Sequence, residues 1–404
     1  MLDLNEIKKA YKRLENIAYN TPLSYAPILS EMSGYEVYLK KENLQRTGSF
    51  KLRGAFNKIA SLIEEGQKCG VVASSAGNHA QGVAFSASHF GIEATIVMPE
   101  STPLVKVQGV KDFGARVILY GSNYDEAYAY AIEFGKEHNY TFVHPFEDDE
   151  VMSGQGTIVL EMFEEVDDFD AIVVPVGGGG LIAGISVASK ALNPNLKVIG
   201  VSSLGAPAMR ESYEAKRAID TTGVRTIADG IAVRDTSSIT LKYILNNVDS
   251  FYGVCEDEIA SGILFLLERQ KVLVEGAGAV GVSALMHNKI DLPKGSKVAV
   301  VLSGGNIDVT MLSLIIEKGL VKSYRKMKLR VTLVDKSGAL ESLTHILKQA
   351  DANIVQIGYD RTSIDLEFGD AHVSVSLETK GVAHQDSIRA TLSENGFAFK
   401  EDGL

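Results

Sequence analysis

The stretch "AIVVPVGGGGLIAGISVASKAL", residues 171–192, decides the fold. Its first six residues are apolar and mostly β-branched, as in a strand covered on both faces. Its last twelve carry apolar residues at helical spacing, and four glycines separate the two parts. The same rhythm extends outward in both directions. Strand-like runs recur at 36–42 ("EVYLKKE"), 69–75, 94–99, 115–120, 197–203 and 297–303, with helical stretches at 78–90, 124–138, 152–166, 256–269 and 305–319. This alternation predicts an α/β protein with mainly parallel sheets. Ligands in such folds sit beyond the C-terminal strand ends, so the glycine- and serine-rich ends face a common space. Gly177, Gly178, Gly179 and Gly180 lack side chains, and their amides, with that of Leu181, can close on an anion at a helix N-terminus. Phosphate is the natural guest. Close strand–helix packing at a tight turn is the competing explanation, but four glycines exceed what a turn needs.

The chain of 404 residues is too long for one ordinary core. An apolar content of 45% and a charged content of 23% describe a soluble globular protein. The net charge of −11 argues against non-specific nucleic-acid binding and against an anionic membrane surface. Cys69 and Cys255 are distant in sequence and form no CxxC, which predicts a reducing, cytoplasmic setting without a disulfide framework. No apolar run reaches membrane-spanning length. The N-terminal "MLDLNEIKKAYKRLEN" is a charged amphipathic helix pattern, not a signal peptide.

After "KSYRKMKLR" (322–330), with five basic residues in nine, the rhythm changes. That tract reads as a solvated linker. Beyond it come a strand (329–335), a helix (338–350), a hairpin pair (353–361 and 371–379), a helix (384–396) and a short strand (397–401). The order βαββαβ is the ferredoxin-like split motif. The expected organisation is a unit over 1–320, with a smaller subdomain at about 43–146 inserted, a linker at 321–328 and a C-terminal domain at 329–404.

Two glycine patterns invite a dinucleotide reading: Gly178, Gly180 and Ala183 fit GxGxxA, and Gly276, Gly278 and Gly281 fit GxGxxG. A Rossmann site also wants an acidic residue at the end of the next strand. The next strands here end in Ser202 and Ser203, and in Ser303. A nicotinamide dehydrogenase is therefore the weaker reading. "TGSFKLRGA" (47–55) points elsewhere. Ser49 reads as an N-cap and Lys51 falls in the first helical turn beside Phe50, where the helix dipole and burial both disfavour a proton on the amine. A compact phosphorylated cofactor that bonds to a neutral amine joins this lysine to the glycine loop, and pyridoxal 5'-phosphate is such a cofactor.

With these residues in view, the chain resembles the fold-type II pyridoxal-phosphate enzymes, and specifically the threonine ammonia-lyase (threonine dehydratase) family. The matching stretches are "KENLQRTGSFKLRGA" (41–55), "SSAGNHAQGVA" (74–84), "PVGGGGLIAG" (175–184), "ADGIAV" (228–233), "EGAGA" (275–279) and "LSGGN" (302–306), in the family's order. The C-terminal unit resembles an ACT regulatory domain, with Ser337 where proline often stands.

The resemblance implies a catalytic unit of two mainly parallel α/β subdomains and a carbon–nitrogen lyase that deaminates threonine, and serine as a side activity. It implies that Lys51 carries the cofactor and then acts as base at the substrate Cα. Phe50 would pack beside the pyridine ring, and Asn78 would donate to the phenolic oxygen. Ser303 would face the pyridine nitrogen, a hydroxyl where a carboxylate would promote transamination. Ser75, Ala76, Gly77 and Asn78 would bind the substrate carboxylate, while His79 reads as structural. Serine racemases, which the chain also resembles, carry a serine at the position of Ala76, so racemisation is expected to be poor. They also place acidic metal ligands where this chain has Ser202, Ala206 and Ala208, so no divalent metal site is expected there. The C-terminal domains are expected to pair between subunits of a homodimer or homotetramer. They would bind an amino-acid effector, isoleucine or valine (AMP being the alternative), near Asp335, Ser337, Gly338, Ala339 and Leu340. A non-catalytic amino-acid sensor that kept the fold is the other class of function considered.

Overall fold

The computed structural model describes residues 1–67 and 69–401. Residues 402–404, the end of the expected C-terminal domain, lie outside the described residues. The chain divides into two compact units, Met1–Asp308 and Val309–Leu404.

The first unit contains two sheets. The larger has six strands in the order Leu23–Tyr25, Glu36–Lys40, Lys297–Val301, Ala171–Pro175, Lys197–Ser203 and Ser250–Val254. All neighbours run parallel except the first pair. The smaller has four parallel strands in the order Arg116–Leu119, Ala94–Met98, Val71–Ser74 and Thr141–Phe142. The central strands Ala171–Pro175 and Ala94–Met98 are buried at every position, which is why they read as continuous apolar runs. Strand Ser250–Val254 escaped the sequence reading because "SFYGV" is half-buried and mixes polar with apolar residues at an edge.

Three helices bring the glycine loop and the lysine together: Lys51–Glu64, Asp149–Glu165 and Gly180–Leu192. They cross at glycines. A Cβ at Gly54 would fall 2.6 Å from the Val151 carbonyl oxygen, and one at Gly184 would fall 2.1 Å from that of Met152. Any side chain there would push the helices apart. The helix Gly276–Met286, made of small residues, is buried over Gly276–Leu285 and runs through the core.

The second unit opens with helix Val309–Lys322 and holds a four-stranded antiparallel sheet ordered Asn353–Asp360, Asp370–Glu378, Lys326–Val334 and Ala398–Glu401. Helices Ala339–Gln349 and Val382–Glu394 complete the ferredoxin-like motif. Met327, Leu329, Val331 and Leu333 alternate into its core against Val373, Val375 and Leu377. The basic tract 322–330 is therefore not a solvated linker throughout: a strand begins at Lys326, and alternating burial of Met327 and Leu329 overrides the charge of the residues between them. No helix among the described residues is long and apolar enough to cross a membrane.

Candidate active site

Lys51 is the first residue of its helix, as expected, but Ser49 does not cap it. Phe50 occupies the cap position without a side-chain bond, and the Ser49 hydroxyl is buried with no hydrogen-bond partner among the described residues. The backbone of 48–50 is instead stitched to the end of the strand at 297–301: the Phe50 amide donates to the Ser303 carbonyl at 3.1 Å, and the Gly305 amide donates to that of Gly48 at 2.9 Å. Sheet-like pairing of Ser49 with Gly304, rather than a cap, fixes the backbone just before Lys51 next to the buried Ser303.

The Lys51 ammonium donates to the Pro145 carbonyl oxygen at 2.9 Å and lies 5.3 Å from the Phe50 ring centroid. Burial lowers its pKa to about 8, against an upward pull from the Glu275 carboxylate. Loss of hydration is thus the principal cause of the loosely held proton. The next residue after Pro145, Phe146, packs on the glycine loop: a Cβ at Gly178 would fall 2.5 Å from its ring, and one at Gly180 2.7 Å from its own Cβ. Gly179 stands in the left-handed region at φ 88° and precedes the first helical residue, Gly180. Gly177 is pressed against Ile231, whose Cα would lie 2.8 Å from any Cβ at that glycine. The Leu181 side chain joins the core, so that residue offers the site only its backbone. Close packing therefore requires the tetraglycine, and the amides that open the helix are left without intrahelical carbonyl partners, as an anion site needs.

Asn78 begins helix Asn78–Phe90, and Gly77 stands before it at the cap position. The Asn78 amide does not cap. It donates to Glu275 Oε1 at 2.8 Å and accepts from Asn306 Nδ2 at 2.7 Å. Ser75 folds back to accept the Gly77 amide at 3.2 Å, and a Cβ at Gly77 would meet open space. Ala76 packs on the core of the smaller subdomain. His79 is buried with Nε2 2.8 Å from the Val143 carbonyl oxygen. Burial, reinforced by the Lys51 charge, lowers its pKa to about 3, so it is neutral and fills a structural place.

Sequence reasoning missed Glu275, Pro145 and Phe146. Glu275 stood in view at the head of "EGAGA", but only its glycines were read. It also missed a fully buried charge cluster beneath the lysine's helix. There Arg53 bonds Glu42 at 2.8 Å and Glu161 at 2.6 Å, and Lys40 bonds Glu161 at 2.6 Å. The residues Asp335, Ser337, Gly338, Ala339 and Leu340 fall in the second unit, where Asp335 accepts the Tyr359 hydroxyl at 2.9 Å and pairs with Arg361 at 3.0 Å. Gly338, at φ 86°, turns the chain into the helix that starts at Ala339.

A half-buried lysine with a depressed pKa, sharing the Pro145–Phe146 wall with a glycine loop where side chains would not fit, fits pyridoxal phosphate. These are the features that a pyridoxal-phosphate enzyme of the α/β class requires. Residues 14–304 match the profile of the pyridoxal-phosphate dependent enzymes. The chain is 50% identical over 397 residues to an L-threonine ammonia-lyase of Thermotoga maritima, covering 98% of each. Among solved structures it is similar to the processed threonine deaminase isoform 2 of Solanum lycopersicum, with a TM-score of 0.73 and 35% identity over 78% of this chain and 88% of that one. It is also similar to maize serine racemase, with a TM-score of 0.74 and 33% identity over 80% of this chain and 99% of that one. The chain belongs to the pyridoxal-phosphate-dependent enzymes, among the threonine ammonia-lyases, and pyridoxal phosphate is its cofactor.

Proposed function

We propose that the chain converts L-threonine to 2-oxobutanoate and ammonia, with L-serine giving pyruvate at a lower rate. One observation carries the reading. The Lys51 amine rests on Pro145, and the adjoining Phe146 seats on Gly178 and Gly180, so the reactive amine and the phosphate cradle share one wall. When bound, pyridoxal phosphate withdraws electron density from the substrate Cα and makes its proton removable. Lys51 would hold the cofactor through Nζ, and the same atom would take up the substrate Cα proton. Its pKa of about 8 leaves a useful neutral fraction near neutral pH. Gly177 to Gly180 and the Leu181 amide would hold the phosphate, Phe50 would pack beside the ring, and Asn78 would donate to the phenolic oxygen. Ser303 would face the pyridine nitrogen with a hydroxyl, which does not protonate it as a carboxylate partner would. The loop Ser75–Asn78 binds the substrate carboxylate through its amides. The β-hydroxyl leaves with the Cα proton as water, and the released enamine takes up water and loses ammonia, which balances threonine against 2-oxobutanoate and ammonia. Ala76 has no proton to offer on the opposite face, so racemisation is poor despite the likeness to a racemase.

The second unit is read as an ACT-like regulatory domain that pairs with a second copy in a homodimer or homotetramer, in the cytoplasm. Its outermost strand, Asn353–Asp360, exposes Val355, Ile357 and Tyr359, and the following loop exposes Ile364 and Phe368. Such an edge is normally covered. Isoleucine or valine, or alternatively AMP, binds near Asp335 to Leu340.

The test is release of ammonia and 2-oxo acid from threonine and serine, with and without isoleucine, valine and AMP. Yellow protein, bleached by borohydride with label at Lys51, and 2-oxobutanoate from threonine are expected. Protein that binds the cofactor but releases no 2-oxo acid from either substrate overturns the catalytic reading in favour of a sensor.

A further inference from the structure

Four of the glycine-containing motifs meet at one carboxyl group. Glu275 immediately precedes the buried helix Gly276–Met286, and its amide donates to the Gly304 carbonyl at 3.0 Å. A Cβ at Gly304 would fall 2.6 Å from Glu275 Oε1, and one at Gly230 2.9 Å from the same atom. "ADGIAV" and "LSGGN" thus each leave out a side chain where this carboxylate lies. The fourth motif, "SSAGNH", supplies its hydrogen-bond donor, the Asn78 amide at 2.8 Å. Asn306 takes up the amide oxygen of Asn78 at 2.7 Å, and is itself tied to the Thr47 carbonyl at 2.9 Å. An amide is planar, so fixing its oxygen and one N–H leaves the second N–H a single direction.

We infer that Glu275 is a positioning residue for the reaction: its carboxylate, seated on two bare backbones, orients the Asn78 amide so that the remaining N–H serves the phenolic oxygen of the cofactor. The inference rests on the cofactor placement proposed above. It predicts a pH dependence, because only the ionised carboxylate is a pure acceptor. Burial raises the Glu275 pKa to about 7, with the Asn78 bond pulling it back down. The charged groups facing it are Asp229 from the turn at 229–231, Lys106 from helix Leu104–Lys111, and Lys51. Asp229 and Lys106 pair with each other at 3.3 Å, so their opposite effects largely cancel.

Glu275→Gln keeps the shape and an acceptor oxygen but removes the charge, so a merely structural role survives it. Glu275→Asp keeps the charge but draws it back by one methylene. Both are compared with wild type as holoenzymes between about pH 5.5 and 9. The first readout is the visible absorbance of the bound cofactor without substrate; the second is kcat and KM for threonine. In wild type the absorbance and kcat are expected to share an acidic transition near 7. The Gln variant is expected to lose that transition from both, with KM within about twofold of wild type. The Asp variant keeps the transition but loses about tenfold in kcat. A Gln variant whose absorbance titration matches wild type overturns the inference, as does an Asp variant with unchanged kcat. Wild-type protein that takes up no cofactor overturns the placement and the inference together. Cofactor uptake with no threonine turnover leaves the absorbance titration to decide the role of Glu275 by itself.

Discussion

Arg53→Met should destabilise the first unit far more than the loss of one surface charge. Arg53 is fully buried and bridges Glu42 and Glu161, both of which are buried as well. Removing it leaves Glu161 bonded to Lys40 at 2.6 Å, but leaves Glu42 with the Thr21 hydroxyl and the more distant charge of Lys40. Breaking such a buried pair from one side costs about 3–5 kcal/mol. An unfolding entropy of about 2.1 cal/mol/K per residue over the 308 residues of this unit gives ~0.65 kcal/mol/K, so Tm should fall by about 5–8 °C. The orphaned carboxylate is the source of the loss, so adding Glu42→Gln should recover more than half of it.

The pH dependence carries a definite sign. In the wild type burial raises the Glu42 pKa, but Arg53, Lys40 and Thr21 pull it below its ordinary 4.5. Its contribution to stability is therefore present above the ordinary carboxylate range and is lost as pH falls through the depressed value. In the variant the main opposing charge is gone, the pKa rises, and Glu42 protonates before the wild type does. The stability gap between the two proteins should be widest at neutral pH and narrow below about 5. Urea unfolding of both holoenzymes at several pH values, together with the double variant, measures all of this. A loss under about 1 kcal/mol, or one that Glu42→Gln does not relieve, would refute the reasoning.

Gly180→Ala would press its methyl within 2.7 Å of the Phe146 Cβ, so the phosphate cradle must shift; cofactor affinity, followed by the absorbance of the bound vitamer, should fall about tenfold or more. Unchanged affinity would place the phosphate elsewhere. In the cofactor-free protein the depressed Lys51 pKa means that its stability contribution is present above 10.5 and lost as pH falls through about 8. Lys51→Met should therefore be more stable than cofactor-free wild type at pH 7, with the gap closing by about pH 10 in urea titrations; a constant gap would show that the ammonium is not the cause. Asp335→Ala frees the Tyr359 hydroxyl and the Arg361 guanidinium, and is expected to shift the half-maximal concentration for isoleucine or valine feedback while leaving threonine turnover without effector unchanged. Identical feedback curves would move the effector site away from this loop.

The elements that were legible in the sequence share one property: their function is carried by the backbone or by residue types that cannot serve otherwise. Ala171–Pro175, covered on both faces, has to be apolar throughout, and Gly177 to Gly180 have to be bare. Lys51 was singled out by its place in the first helical turn, and Asn78 and Ser303 only by the family resemblance. What stayed hidden depends on partners far along the chain. Arg53 and Glu42 look like residues of a solvated helix and turn, since local spacing cannot say that Glu161 arrives from a helix more than a hundred residues later. Ser49 has the chemistry of a cap, but pairing of 48–50 with 303–305 took the backbone first. The basic residues at 322–330 disguised a strand whose apolar positions are only every second residue. Glu275 is the sharpest case. A carboxylate among glycines reads as a helix-start residue, favoured by the dipole. Only the fold reveals that Gly230 and Gly304 are bare on either side of it, and that it holds Asn78. A glycine required by a neighbouring side chain, rather than by its own φ, is silent in one sequence. Reading such motifs therefore means asking which distant side chain each glycine makes room for.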